Sequence, residues 1–298
     1  MKNGVIIINK TEGMSSFAIV SRVRRLFDIK KAGHTGTLDP MATGVLPVLI
    51  GRGVKASEYM LTSDKHYRAV MLLGITTDTE DITGSTLTVC DRVPRASEVF
   101  SAVNSMLGES LQTPPMYSAL KIGGKKLCDL ARAGTTVERH PRKITVHSIT
   151  AEAINEREYS LNIHCSKGTY IRTLIADIGK ALGVGAAMKA LCRTEASGYS
   201  LEDSCTLEEL EKMSAEEREE KIMPIESVFR DERELILPPF FSRLARCGVE
   251  IYLKKIKFEA KPSERVKLFD ENGFFALGEA REYESGLAIK PIKQFGEP

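Results

Sequence analysis

Between residues 159 and 182 the apolar pattern changes its period without a gap. Tyr159, Leu161, Ile163 and Cys165 alternate with Ser160, Asn162, His164 and Ser166, the period-two signature of a half-buried strand. Past Lys167-Gly168-Thr169-Tyr170, the residues Ile171, Leu174, Ile175, Ile178 and Leu182 return at helical spacing. A one-faced strand feeding a one-striped helix requires a sheet with helices packed on it. Residues 5–8, 45–50, 67–73 and 86–89 read as further strands. Ser15-Ser16 is suited to cap a helix carrying Val20, Val23 and Leu26, and 96–106 and 127–133 also read as helical. Helices alternating irregularly with hairpin-like strands predict an α+β fold around a mixed sheet rather than a doubly wound one.

Residues 202–220 are rich in Glu, with Thr206…Glu209 and Ser214…Glu217 spaced as capping boxes. They read as surface helices leading into a linker. Beyond residue 231, short strands are expected over 249–253, 266–269, 274–277 and 287–292, broken by turn chemistry such as Asp270-Glu271-Asn272-Gly273. The organisation expected is a domain over 1–230 and a small β-barrel-like module over 231–298.

With 42% hydrophobic residues in 298, the chain can bury a sizeable core, and disorder is excluded. The net charge of +2 says nothing about partners, but its distribution does. Arg22, Arg24, Arg25, Lys30 and Lys31 face only Asp28, and Lys121, Lys125, Lys126, Arg132, Arg139, Arg142 and Lys143 face only Asp129 and Glu138. Either cluster alone fits a solvated face; the two together, with acid concentrated elsewhere, make a polyanionic partner an even alternative. The apolar run 5–8 is too short for a signal peptide or a membrane span. Cys90, Cys128, Cys165, Cys192, Cys205 and Cys247 include no CxxC pair, which argues against a zinc site and a disulfide framework. A reduced, soluble, cytoplasmic protein is expected.

The least ordinary segment is Gly33-His34-Thr35-Gly36-Thr37-Leu38-Asp39-Pro40-Met41-Ala42-Thr43-Gly44. Its glycines allow positive φ and close backbone approach to a ligand. No Gly-Lys-Ser/Thr follows, so it is not a Walker loop, and the glycine spacing is not that of a dinucleotide fingerprint. It carries one carboxylate, Asp39, and one imidazole, His34. Spacing alone favours an aspartate in a structural turn. At the strand-to-helix junction, Arg172 is available either to a carboxylate from elsewhere or to solvent.

These pieces together resemble bacterial tRNA pseudouridine-55 synthases, the TruB family, over about residues 4 to 230. The segment from Gly33 to Pro47 looks like that family's active-site signature. Asn9-Lys10-Thr11-Glu12-Gly13-Met14-Ser15-Ser16, Lys65-His66-Tyr67, Gly74…Thr77-Asp78-Thr79…Asp81…Gly84, Gln112-Thr113-Pro114-Pro115-Met116-Tyr117-Ser118-Ala119…Lys121 and the stretch from Lys167 to Thr173 are similar to its other elements. The sequence departs from the pattern at Thr11, Cys128, Ala187 and Cys192.

The resemblance implies a pseudouridine synthase fold with a mixed, largely antiparallel sheet and flanking helices, and a C-terminal PUA-like RNA-binding module. It implies conversion of a T-arm loop uridine of tRNA, at position 55, to pseudouridine. Asp39 would be the catalytic aspartate, Tyr67 the ring on the target base and Arg172 the partner of Asp39. Tyr170 and Leu191 would line the pocket, His34 would hold the opened loop, and Lys10 and Asp81 fall in matched elements near the substrate. No metal or organic cofactor, no membrane and no obligatory protein partner are implied, and a monomer is expected. Two alternatives stay open: a guide-RNA-dependent synthase, and a non-catalytic tRNA-folding chaperone.

Overall fold

The switch of period at residues 159–182 becomes the strand Glu158–Cys165 followed by the helix Ile171–Ala181. The computed structural model describes residues 2–296. Glu158–Cys165 lies inside a nine-stranded sheet, whose main path runs Gly4–Lys10, Thr43–Ile50, Ala186–Ala196, Lys65–Leu73, Glu158–Cys165, Arg142–Ala153, Gly108–Gln112. Ala32–His34 adds to Thr43–Ile50, and Tyr199–Ser200 to Ala186–Ala196. Among the described strands of this sheet every pairing is antiparallel except one: Thr43 and Gly44 run parallel to Cys192 and Arg193. The sheet is therefore mixed and largely antiparallel.

The helices Ser16–Leu26 and Ile171–Ala181 bury their apolar stripes in one core against this sheet. Ile19, Val20 and Val23 of the first and Ile171, Leu174, Ile175 and Ile178 of the second meet Ile6, Ile8, Leu46, Val48 and Met71 there. Each such side chain contributes roughly 1.5–3 kcal/mol of burial. The first helix starts where Ser15 Oγ accepts the Ala18 N–H. Val5 and Ile7 point the other way, into a second cluster with Val45, Leu49, Met60 and Tyr199. Burial on both faces explains why residues 5–8 are apolar without alternation.

The C-terminal part forms a separate curled five-stranded sheet, ordered Arg233–Ile236, Arg265–Asp270, Gly273–Tyr283, Gly286–Gln294, Ile251–Tyr252. Asp270 and Gly273 close its tight hairpin, with Gly273 at φ +103° and the Asn272 N–H on Asp270 Oδ1. The strand expected over 249–253 is only Ile251–Tyr252, because Leu253–Ile256 turns into a helix. The strand expected over 274–277 runs on as Gly273–Tyr283. The helix Pro239–Arg246 has no counterpart among the elements expected from the sequence. Both capping boxes form, at Thr206/Glu209 and Ser214/Glu217. Ala56, Ile225, Phe229, Leu277 and Phe295 pack in one cluster that joins the two parts. Among the described residues no helix is long and apolar enough to cross a membrane.

Candidate active site

Asp39 sits in the loop between Ala32–His34 and Thr43–Ile50, and buried groups fix that loop from behind. Lys10, fully buried at the end of the first strand, donates through Nζ to the carbonyls of Thr11 (2.9 Å), Pro40 (2.9 Å) and Ala42 (2.5 Å). Burial lowers its pKa to about 8, which leaves it charged at neutral pH with all three donors in use. Ser16 Oγ donates to the Leu38 carbonyl and accepts the Leu38 N–H. Arg193 closes the loop's two ends: its Nε donates to the carbonyl of Val45 and its Nη2 to that of Gly36. Gly44 is at φ +99°, and a Cβ there would lie 2.2 Å from the Arg193 carbonyl oxygen, so the parallel strand pairing requires glycine.

Arg172, at the start of Ile171–Ala181, reaches the same place. Its Nε lies 3.0 Å from Asp39 Oδ2. Nη1 donates to the Thr79 carbonyl at 2.9 Å and Nη2 to the Tyr117 carbonyl at 2.7 Å. Asp81 approaches Nη1 at 3.6 Å. The arginine side chain is 5% exposed and the Asp39 side chain 35%, so the ion pair has a buried cation and a carboxylate with one open side. Burial raises the pKa of Asp39, the Arg172 guanidinium pulls it down, and the neighbouring Asp81 adds to the rise.

The open side of Asp39 faces a cleft of about 360 Å³. Tyr67, Leu191, Tyr170, Lys65 and Arg193 line it with Arg172. Tyr67 comes from the central strand Lys65–Leu73; burial raises its hydroxyl pKa, against the nearby Arg193 guanidinium. Burial and Arg193 lower the pKa of Lys65 to about 8, and its ammonium donates to the Ser63 carbonyl. Tyr170 is held through its backbone, its N–H donating to Gln112 Oε1 and its carbonyl accepting from Gln112 Nε2.

The structure thus brings Asp39, Tyr67, Tyr170, Arg172 and Leu191 to one cleft, and places Lys10, His34 and Asp81 outside its lining. Lys10 supports the Asp39 loop from beneath. Asp81 is buried behind Arg172, its Oδ1 accepting from Thr79 Oγ1, the Thr83 N–H and Thr83 Oγ1. His34 lies on the short strand Ala32–His34, and burial lowers its pKa. Sequence patterns do not single out Arg193 and Lys65 as site residues. Arg193 stands between Lys189 and Glu195, so charge alone does not mark it out.

Two family models match this chain: the N-terminal domain of the TruB family pseudouridylate synthases over residues 24–171, and the tRNA pseudouridylate synthase B C-terminal domain over 172–230. A tRNA pseudouridine synthase B of Clostridium tetani is 40% identical over 278 residues, 93% of this chain and 95% of the relative. One of Francisella philomiragia is 39% identical over 290 residues, 96% and 93% of the two chains. Among solved structures, a Cbf5-Nop10-Gar1 complex contains a chain that superposes with a TM-score of 0.72 at 26% identity, over 99% of this chain and 85% of that one. By these matches the chain is a member of the TruB family of pseudouridylate synthases.

Proposed function

We propose that this protein isomerises the T-arm loop uridine at position 55 of tRNA to pseudouridine, with Asp39 as the catalytic carboxylate. The observation that carries the reading is the Asp39 carboxylate, paired with a buried Arg172 on one side and open on the other to a cleft containing Tyr67. The relatives' tRNA pseudouridine synthase B names support the substrate.

The reaction breaks a base–ribose C–N bond and makes a C–C bond, so the nucleotide must leave its stack. Extrusion costs a few kcal/mol, and less for a loop base than a paired one. Stacking on an aromatic ring returns about 1–3 kcal/mol, the role given to Tyr67. Ionised Asp39 then either attacks the ribose C1′ or takes the C2′ proton as uracil leaves as an anion. Arg172 favours the charged carboxylate in both routes and fixes its orientation. Leu191 and the ring of Tyr170 keep water from the freed base while it turns. The Tyr67 hydroxyl is the candidate for removing the C5 proton, Lys10 and Asp81 hold Asp39 and Arg172 in place, and His34 supports the opened loop. The protein acts as a single cytoplasmic chain on tRNA alone, and residues 231–298 form a second RNA-binding unit.

The test is Asp39→Asn. The variant should bind a folded tRNA transcript with wild-type affinity yet form no pseudouridine. Normal product formation would overturn the assignment. Activity of the wild type on naked transcript separates this reading from a guide-dependent synthase.

A further inference from the structure

Three of the chain's five histidines converge on the outer face of the central sheet. His66 precedes Tyr67 on Lys65–Leu73, so strand alternation turns it away from the cleft. His164 is its registered neighbour on Glu158–Cys165, and the two rings stack at 4.0 Å and 12°. His147 comes from Arg142–Ala153, at the register shift between Val146 and Ser148. A bulge re-aims side chains, and here the His147 ring comes to 4.6 Å from that of His164. Asp64, the residue before the central strand, meets both: its Oδ2 is 3.2 Å from His147 Nε2 and 3.7 Å from His164 Nε2.

We propose that Asp64, His147 and His164 bind one first-row divalent cation, with zinc the ion the donor set fits best. The three ligand atoms lie within 4.8 Å of one another. Bonds of about 2.0–2.1 Å in a tetrahedral site set ligand atoms about 3.3 Å apart, which the two Asp–His separations already approach. Two imidazoles and one carboxylate suit zinc, copper or nickel over magnesium or calcium. The fourth position is left to water. His66 holds the His164 ring plane by stacking, and its own Nε2 is turned to Glu195 at 3.9 Å. The bulge, not the register, sets His147 beside His164, and both imidazoles already meet Asp64, so little order has to be created on binding. The cysteines take no part, and their spacing, which argued against zinc, carries no information on histidines from separate strands. The ion would clip the bulged strand to the turn that starts the central strand. Lys65 and Tyr67 follow Asp64 closely, so the clip would stiffen one wall of the cleft without entering it.

The experiment uses untagged, chelator-treated full-length protein titrated with Co2+. One equivalent should bind, with visible d–d absorption, no thiolate charge-transfer band and a raised melting temperature, and Zn2+ should displace it. Asp64→Asn, His147→Gln and His164→Gln should each weaken binding by about tenfold or more, whereas His140→Gln should bind as wild type. Far-UV circular dichroism checks that each variant is folded; should His164→Gln fail to fold, His147→Gln at the bulge carries the same expectation. Absence of saturable binding, a thiolate band, or wild-type affinity in folded His147→Gln overturns the proposal.

Discussion

The guanidinium of Arg172 is anchored to the backbone before it is offered to Asp39: Nη1 and Nη2 are committed to the carbonyls of Thr79 and Tyr117, while Nε lies 3.0 Å from Asp39 Oδ2. The cation's position is therefore set by the fold, and the carboxylate is aligned against a fixed partner. A lysine ammonium cannot reproduce this fork.

Arg172→Lys should lower single-turnover pseudouridine formation by about tenfold or more, a loss of about 1.4 kcal/mol or greater in transition-state stabilisation. The acidic limb of the pH–rate profile should also move. Burial raises the Asp39 pKa and Arg172 lowers it, so weakening the pair raises the pKa further. Activity that depends on the carboxylate then falls away at a higher pH than in the wild type. A profile with an unmoved acidic limb would contradict the role given to Arg172.

Tyr67 offers a ring and a hydroxyl, and two substitutions separate them. Tyr67→Leu removes the stacking surface and should weaken binding of the T-arm loop by up to about 1–3 kcal/mol. Tyr67→Phe should bind as wild type but form product at least about 10²-fold more slowly, the lower end of the range for a lost proton-transfer group. Equal single-turnover rates for Tyr67→Phe and wild type would reduce the residue to a stacking platform.

Lys10→Met keeps an apolar stem but removes the donor to three carbonyls, the buried one of Ala42 and the part-buried ones of Thr11 and Pro40. At about 1–3 kcal/mol for a buried group left unsatisfied, urea unfolding should show a loss of about 1 kcal/mol or more, since water can replace the ammonium at Thr11 and Pro40. The variant should also lose activity under conditions where it is fully folded, because Pro40 directly follows Asp39. Wild-type stability would mean that the clamp is not needed.

Arg22 of the first basic cluster pairs with Glu211, and Arg132 and Lys143 of the second pair with Asp129 and Glu109, so the docking test falls on the other lysines of the second cluster. Lys121 and Lys125-Lys126 stand on an exposed two-stranded hairpin whose turn glycines, Gly123 and Gly124, take φ of +57° and +81°. Replacing the three lysines with alanine should weaken tRNA binding and flatten the salt dependence, by about 0.7–0.9 in the log–log slope for each phosphate no longer neutralised. An unchanged slope would show that RNA docks elsewhere.

What can be read from the sequence is local. The change of period at residues 159–182 announces its strand and helix because both patterns lie within a few turns of chain. Arg142–Ala153 is hidden because much of it is exposed and the bulge at His147 breaks its alternation. Pro239–Arg246 begins Pro238-Pro239, which resembles a turn; proline at the first helical position also starts helices. The pairing of Asp39 with Arg172 spans 133 residues, and no local rule joins them. Family resemblance can bring them together as a pair, but it cannot separate the residues that line the cleft from Lys10, His34 and Asp81, which do not. That distinction depends on which face of which strand meets the loop.

The order of the strands also sets a timetable. Ala186–Ala196 lies between Thr43–Ile50 and Lys65–Leu73, two segments made long before it. During synthesis those earlier strands must keep a place open, and the wall carrying Leu191 and Arg193 cannot close until the ribosome has released that late segment. A nascent chain arrested short of it should remain protease-sensitive around Asp39, and become resistant only once the missing strand has emerged and slotted home.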